Sequence, residues 1–292
     1  MGENTMGAHT RRKSWRDRLT GLLAAVLVIA GVSIAAYPSV ADWLADGQHA
    51  TVINSYQGKV DSLDQAERDK QMAEARKYNE SLAGDPVHDP FIPGSGYALP
   101  ENYTSVLNPD GDGVMGYLTI KKIDVYLPIY HGTSEDILDK GVGHMRQTAL
   151  PIGGEDRRPV LTGHRGLPNA ELFTRLDELD KGDVFTINVL GKTLAYKVVE
   201  IKTVLPSELE ELRAVKGRDL VTLLTCTPYG VNTHRLLVTG ERTTLAEANK
   251  PQEQTISIVP RGRWLRRAII AGVVVVAATA VTLVYVKRKP RR

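Results

Sequence analysis

The chain has 292 residues, one cysteine, and 37 Lys+Arg against 34 Asp+Glu, a net charge of +3. A single cysteine excludes an intramolecular disulfide framework, and near-neutrality gives no electrostatic reason to expect nucleic-acid binding. The balance is uneven along the chain: residues 1–37 with 261–292 carry 14 basic and 2 acidic side chains, +12, while residues 38–260 carry 23 basic and 32 acidic, −9.

Residues 1–18 form a basic tail containing Arg11, Arg12, Lys13, Arg16 and Arg18. Residues 19–37, LTGLLAAVLVIAGVSIAAY, are 19 residues without a charge. At about 1.5 Å rise per residue they can cross a hydrocarbon core of roughly 30 Å. A cleaved signal peptide has the same basic start, but its apolar stretch is usually about 7–15 residues, so an uncleaved anchor is expected. Residues 38–83 read as a helical stalk or a flap against the main body. Asp61 or Ser62 is the expected cap of its second helix, and Leu63, Met72, Tyr78 and Leu82 form a thin apolar stripe. Residues 84–113 are loop chemistry with five prolines.

From residue 114 to 245 the period changes to that of strands. GYLTI, VYLPIY, PVLTG, DVFTINVL, TLAYKVVEI, LVTLLT and RLLVTG are short β-branched or aromatic runs separated by turn residues. Brief helical patterns interrupt them at Ser134 to Asp139 and Asn169 to Glu178. The expected fold is mainly β, a closed barrel that leaves no exposed edge, with N-terminal helices and two flanking transmembrane helices. The second span is residues 268–286, AIIAGVVVVAATAVTLVYV, reached through a linker at 246–267 and followed by a basic tail at 287–292. Basic flanks stay in the cytoplasm, so the two tails imply two crossings and an extracytoplasmic acidic middle. Arg261, Arg263, Arg266 and Arg267 then lie outside, against that rule, and are read with Trp264 as headgroup contacts.

Cys226 ends the run LVTLLT, and Arg235 opens the next strand. If those strands pair as neighbours, a thiol and a guanidinium share one rim of the sheet. A thiol attacking a carbonyl needs thiolate character, a proton donor for the leaving amine, and a positive or hydrogen-bonding group at the oxyanion. Of seven histidines, His164 stands at a strand terminus within a Gly-rich loop, in VLTGHRGLP. The residues alone leave plain alternatives open: a small buried thiol, a surface ion pair, a polar loop histidine. Asn108, Asp110, Asp112 and Gly113 match the start of a calcium loop, but Thr119 stands at its twelfth position, so a turn entering the first strand is expected. His131 and His144 have no Cys or carboxylate at ligand spacing.

TLLTC (Thr222 to Cys226) resembles the TLxTC signature of sortases, the membrane-bound cysteine transpeptidases of Gram-positive bacteria. LTGHRG and NTHRLLVTGER resemble the flanks of that family's catalytic His and Arg. GHRGLPNAELFTRLDEL and LLTCTPYGVNTHRLLVTGER are similar to the pilin-polymerising branch, class C. The resemblance spans roughly residues 85–245. It implies catalytic roles for His164, Cys226 and Arg235, and a lid made by the triplet Asp89-Pro90-Phe91, with Asp89 near the Arg and Phe91 over the Cys. It implies a sortase-type barrel that cleaves LPxTG-like signals between Thr and Gly and joins the acyl group to a pilin Lys, with no metal or organic cofactor. Partners are then LPxTG-bearing pilins, the membrane, and for a housekeeping enzyme a cell-wall precursor. A non-catalytic membrane-tethered β-domain is the reading from a different class. The stretch from Thr203 to Arg218 lies where sortases recognise the signal.

Overall fold

A computed structural model of the chain describes residues 15–82, 102–248 and 272. Two compact units are present, Met1–Val40 with Ser257–Arg292, and Ala41–Ile256. Helix α1 runs Trp15–Ser62 and α2 runs Gln65–Ser81. Among the described residues one helix is long and apolar enough to cross a membrane, Ala25–Ser62 within α1. Its side chains Val26, Leu27, Val28 and Ile29 are exposed. The second expected span, 268–286, lies outside the described residues apart from Gly272, as does the loop holding Asp89 and Phe91.

Among the described residues the unit Ala41–Ile256 contains a closed barrel of eight strands: β1 Val114–Ile120, β2 Val125–His131, β3 Val142–His144, β4 Val160–Thr162, β5 Val184–Val189, β6 Lys192–Val204, β7 Leu220–Thr227 and β8 His234–Thr243. Their order around the barrel is β1-β2-β3-β4-β7-β8-β6-β5, closing through the antiparallel β1–β5 pair. Two of the pairings are parallel, β2–β3 and β4–β7. The expected mainly β closed barrel with N-terminal helices is therefore the observed architecture. Strand β3 was not expected, because VGH has neither the length nor the alternation that marks a strand. A short helix α3, Glu135–Leu138, falls inside the first helical pattern. The second pattern yields only turns and a 3-10 turn at Leu176–Glu178. There the apolar residues Phe173 and Leu176 are drawn fully into the core, and Leu172 sits at φ 40°, which no helix tolerates.

Of residues 38–83, read as a stalk or a flap against the body, the described part from Ala41 onward packs against that body. Ile53, Tyr56, Val60, Met72, Ala75 and Tyr78 are all buried. The Tyr56 hydroxyl donates to the Met115 carbonyl at 3.0 Å and accepts from the Leu190 amide at 2.9 Å. Asn79 makes a paired amide contact with the Leu150 backbone, at 3.2 and 2.7 Å. The cap of α2 is Asp64, which accepts from the Glu67 amide at 2.8 Å, rather than Asp61 or Ser62. Helix α1 continues through Ser62, whose hydroxyl bonds back to the Lys59 carbonyl, so the first residue free to cap is two positions later.

The segment 102–113 is a run of turns entering β1. Asn108 and Asp112 accept from the Gly113 and Val114 amides, at 3.0 and 3.4 Å, so side chains that resembled calcium ligands organise the turn itself. His131 and His144 lie inside the unit around Tyr103. His131 faces the Gly113 and Val106 carbonyls, and His144 contacts the Tyr103 hydroxyl at 2.9 Å and the Ala149 carbonyl at 2.8 Å. Among the described residues no cluster of His, Cys, Asp and Glu is suited to a metal ion.

Candidate active site

Strands β4, β7 and β8 are consecutive around the barrel, and their registers bring the three sequence candidates to one rim. Cys226 pairs directly with Arg235 across the antiparallel β7–β8 ladder. Residues opposed in this way project to the same face, on strands about 4.8 Å apart. On the other side of β7, Val160, Leu161 and Thr162 pair with Thr222, Leu223 and Leu224. The parallel alignment continues one step past β4: the Gly163 amide donates to Leu224 O at 3.1 Å, and Thr225 Oγ1 donates to Gly163 O at 2.7 Å. His164 thus leaves the ladder at the level of Cys226. The imidazole, thiol and guanidinium occupy three adjacent tracks at one height, although His164 lies 62 residues before Cys226.

The face is the outer one. Val221, Leu223, Leu236 and Val238 belong to the main core, whereas Leu224 and Leu237 join Met145, Val160, Val204 and Leu212 in a second apolar cluster. Leu224 and Leu237 are a paired rung two residues before Cys226 and two after Arg235, on the same side. The thiol and guanidinium therefore stand at the end of an apolar floor, and the 3-10 turn Leu209–Leu212 of the β6–β7 connection covers part of it.

Each group has its own support. Cys226 is 8% exposed and Arg235 6%. Arg235 Nη1 donates to the Asn232 and His234 carbonyls, at 3.1 and 3.2 Å, so the β7–β8 connection orients the guanidinium. His164 is set by a close approach behind it: a Cβ on Gly163 would lie 2.8 Å from the ring of the fully buried Phe173. The loop then closes through Phe173 N to His164 O at 3.1 Å and Gly166 N to Thr174 Oγ1 at 3.1 Å. Asp42 of α1 accepts from the Glu171 amide at 2.8 Å and holds that loop from outside. Burial pushes the His164 pKa below the usual imidazole value, opposed by the Asp139 and Glu135 carboxylates. His164 Nε2 is 3.9 Å from Asp139 Oδ1.

Arg165 was missed as a functional residue by sequence reasoning, although it stands inside the GHRG string. Its Nη1 donates to Thr227 Oγ1 at 3.2 Å, its Nη2 bonds Asp177, and its guanidinium lies 6.0 Å from the ring centroid of Tyr229. Gly166, at φ 84°, lets the chain pass that ring, where a Cβ would meet it at 3.0 Å. The residue after His164 is thereby tied to the residue after Cys226. Nothing in the local sequence announces this brace, because Thr227 and Tyr229 come from a distant segment.

What such a rim can do is acyl transfer through sulfur: a thiol to attack, an imidazole to carry the proton, and a cation where an oxyanion would form. Comparison with known proteins points to the same class. The sortase domain family matches residues 118–243, from within β1 to the end of β8. Sortase D of Bacillus subtilis is 32% identical over 139 residues, 47% of this chain and 67% of that protein. The chain belongs to the sortase family, whose members are cysteine transpeptidases. Among solved structures, Streptococcus pneumoniae Sortase C is 42% identical with a TM-score of 0.61, covering 66% of this chain and 97% of that one. Sortase C-1 of Actinomyces oris is 49% identical with a TM-score of 0.57, covering 61% and 99%. The resemblance to class C is thus carried by sequence identity and fold together.

Proposed function

We propose that this chain is a membrane-anchored, pilin-polymerising transpeptidase whose nucleophile is Cys226. The observation that carries the reading is the common rung of Cys226 and Arg235 with His164 on the adjoining track. The similarity to Sortase C of S. pneumoniae, described in connection with pilin substrate specificity, supports the substrate class.

In the proposed reaction the Cys226 sulfur attacks the Thr carbonyl of an LPxTG-like signal, and Arg235 donates to the resulting oxyanion. His164 gives its proton to the Gly amine as the Thr–Gly bond breaks, leaving a thioacyl enzyme. A Lys amine of the next pilin then attacks the thioester and loses a proton to His164. An isopeptide bond forms as the thiolate departs, so the enzyme is regenerated without an oxidant or cofactor. Asp89 and Phe91 are assigned to a lid over this site. Residues 19–37 and 268–286 are read as two spans, with tails 1–18 and 287–292 in the cytoplasm, residues 38–83 and 84–113 as the helical and lid segments, and 246–267 as the linker from the barrel domain at 114–245. The catalytic domain then faces secreted substrates.

The test is mass capture of a thioester between Cys226 and an LPxTG peptide, followed by addition of either a Lys-bearing pilin or a cell-wall peptide amine. Resolution by the pilin lysine is expected; preference for the wall amine would reassign the enzyme to anchoring, and absence of a thioester would end the catalytic reading. Arg235→Ala should retain an alkylatable thiol yet slow peptide cleavage by about 10²–10³, the scale for losing one oxyanion donor.

A further inference from the structure

Arg158, two residues before β4, is 6% exposed, an unusual place for a guanidinium. Its Nη1 donates to the backbone carbonyl of Glu211, within the 3-10 turn Leu209–Leu212. Its Nε is buried and has no hydrogen-bond partner among the described residues. Burial lowers its pKa from the usual guanidinium value; Glu200 and Glu211 oppose that shift, and Arg218 adds to it. The charge is therefore held at a desolvation cost that the single visible hydrogen bond only partly offsets.

What that hydrogen bond holds is the wall of the apolar floor beside Cys226. Leu212, the residue after the clamped carbonyl, is 1% exposed and clusters with Val160, Val204, Leu224 and Leu237. Lys202 of β6 adds a second tie to the same turn, 2.7 Å from the Glu211 carboxylate, but through exposed side chains that water screens. The remainder of the connection exposes Leu205 and Val215. A turn four residues long with an open apolar flank has little intrinsic rigidity, so the buried donor to its carbonyl fixes where the wall stands.

We propose that Arg158 is a positioning residue that holds the β6–β7 connection in its signal-binding geometry, and so governs the Michaelis constant for the sorting signal rather than the chemical step. This rests on the reading of residues 203–218 as the signal-recognising stretch. The residue contacts neither the thiol nor the imidazole; it acts through the Glu211 carbonyl and Leu212.

The experiment uses the full chain in detergent micelles with a quenched peptide carrying Leu-Pro-Ala-Thr-Gly. Arg158→Met should raise KM about 10-fold and Arg158→Lys about 3-fold, with kcat and the rate of Cys226 alkylation by iodoacetamide held within about 2-fold, the split expected when only substrate binding is weakened. Amide hydrogen exchange across 205–218 should speed up in both variants. If Arg158→Met does not fold, Arg158→Lys decides: an unchanged KM with unchanged exchange overturns the proposal, as does a loss confined to kcat. Val215→Asp separates the two layers of the argument. If it raises KM while the Arg158 variants do not, the clamp is wrong; if none of them changes KM, the connection does not bind the signal at all.

Discussion

Replacing Gly163 by Ala tests whether the position of His164 is set by packing behind it. The added Cβ would lie 2.8 Å from two carbons of the Phe173 ring and 3.2 Å from a third, where ordinary contact begins near 3.4 Å. Phe173 is fully buried in the main core, so the ring cannot swing into solvent, and the backbone at 163–164 must move by roughly half an ångström or more. Overpacking of this kind costs about 1–3 kcal/mol, a fall in melting temperature of about 2–4 °C per kcal/mol for a unit of this size. The displaced imidazole is the larger effect: a misplacement approaching 1 Å can cost about 100-fold in rate. Steady-state cleavage of an LPxTG peptide, read beside a thermal melt, should show kcat falling by at least about 10-fold with KM little changed. Phe173→Leu in the same chain should recover part of both losses, since the clash is between those two side chains. Wild-type kcat in Gly163→Ala would refute the idea that this contact positions His164.

Tyr56→Phe removes a donor to Met115 O and an acceptor for Leu190 N without opening a cavity, so the barrel unit should lose about 2 kcal/mol in denaturant unfolding; an unchanged midpoint would mean that α1 does not dock as described. His144 is fully buried with its pKa lowered to about 3 by burial, so the unfolded chain takes up a proton near pH 6.5 that the folded chain refuses. Stability is then complete above pH 6.5 and declines as pH falls, by about 2 kcal/mol at pH 5 from this residue, and melts of His144→Gln should show a shallower slope over that range. The His164 midpoint, followed by imidazole NMR, should lie below 6.5, and Asp139→Asn should move it further down because a carboxylate that favours the cation is lost; an upward move would contradict the assigned electrostatics.

The parts of the site legible in the sequence are those joined by local chain geometry. Cys226 and Arg235 end and begin consecutive strands, so a single assumption, that neighbours pair, brought them together, and the ladder carries that pairing. His164 could not be placed in the same way. Its approach to Cys226 depends on β4 running parallel to β7 and pairing with it, a long-range choice with no local signal; the strand-end, Gly-rich setting marks it among the histidines, and the resemblance of LTGHRG to a family motif gives it a role. Arg165 and Arg158 escaped for the same reason: each acts on a segment far along the chain, and each has the polar character of an ordinary surface residue. Strand β3 is too short for periodicity to detect. The Asn169 to Glu178 segment shows the opposite failure, in which a pattern of apolar residues at helical spacing served a loop that buries Phe173 and Leu176 individually.

The three groups at the rim differ in how their positions are secured, and this separates their sensitivities. Cys226 is a rung of the β7–β8 ladder, so its backbone moves only if the ladder does. Arg235 shares that ladder, but its charged end is aimed by carbonyls of the β7–β8 connection, where Asn232 adopts φ 61°. Asn tolerates that left-handed conformation better than most residues, so changes at Asn232 should disturb the guanidinium while sparing the thiol. His164 lies beyond the end of its strand and depends on Phe173, on the Arg165 brace, and on Asp42 reaching from α1 to Glu171. In the proposed roles, the proton carrier is therefore the member of the trio that lies beyond strand pairing and is placed by side chains of its own loop and of α1. Substitutions scattered through the N-terminal helix and the β4–β5 loop should accordingly converge on one kinetic defect, slower amine protonation, while thiol alkylation stays close to normal.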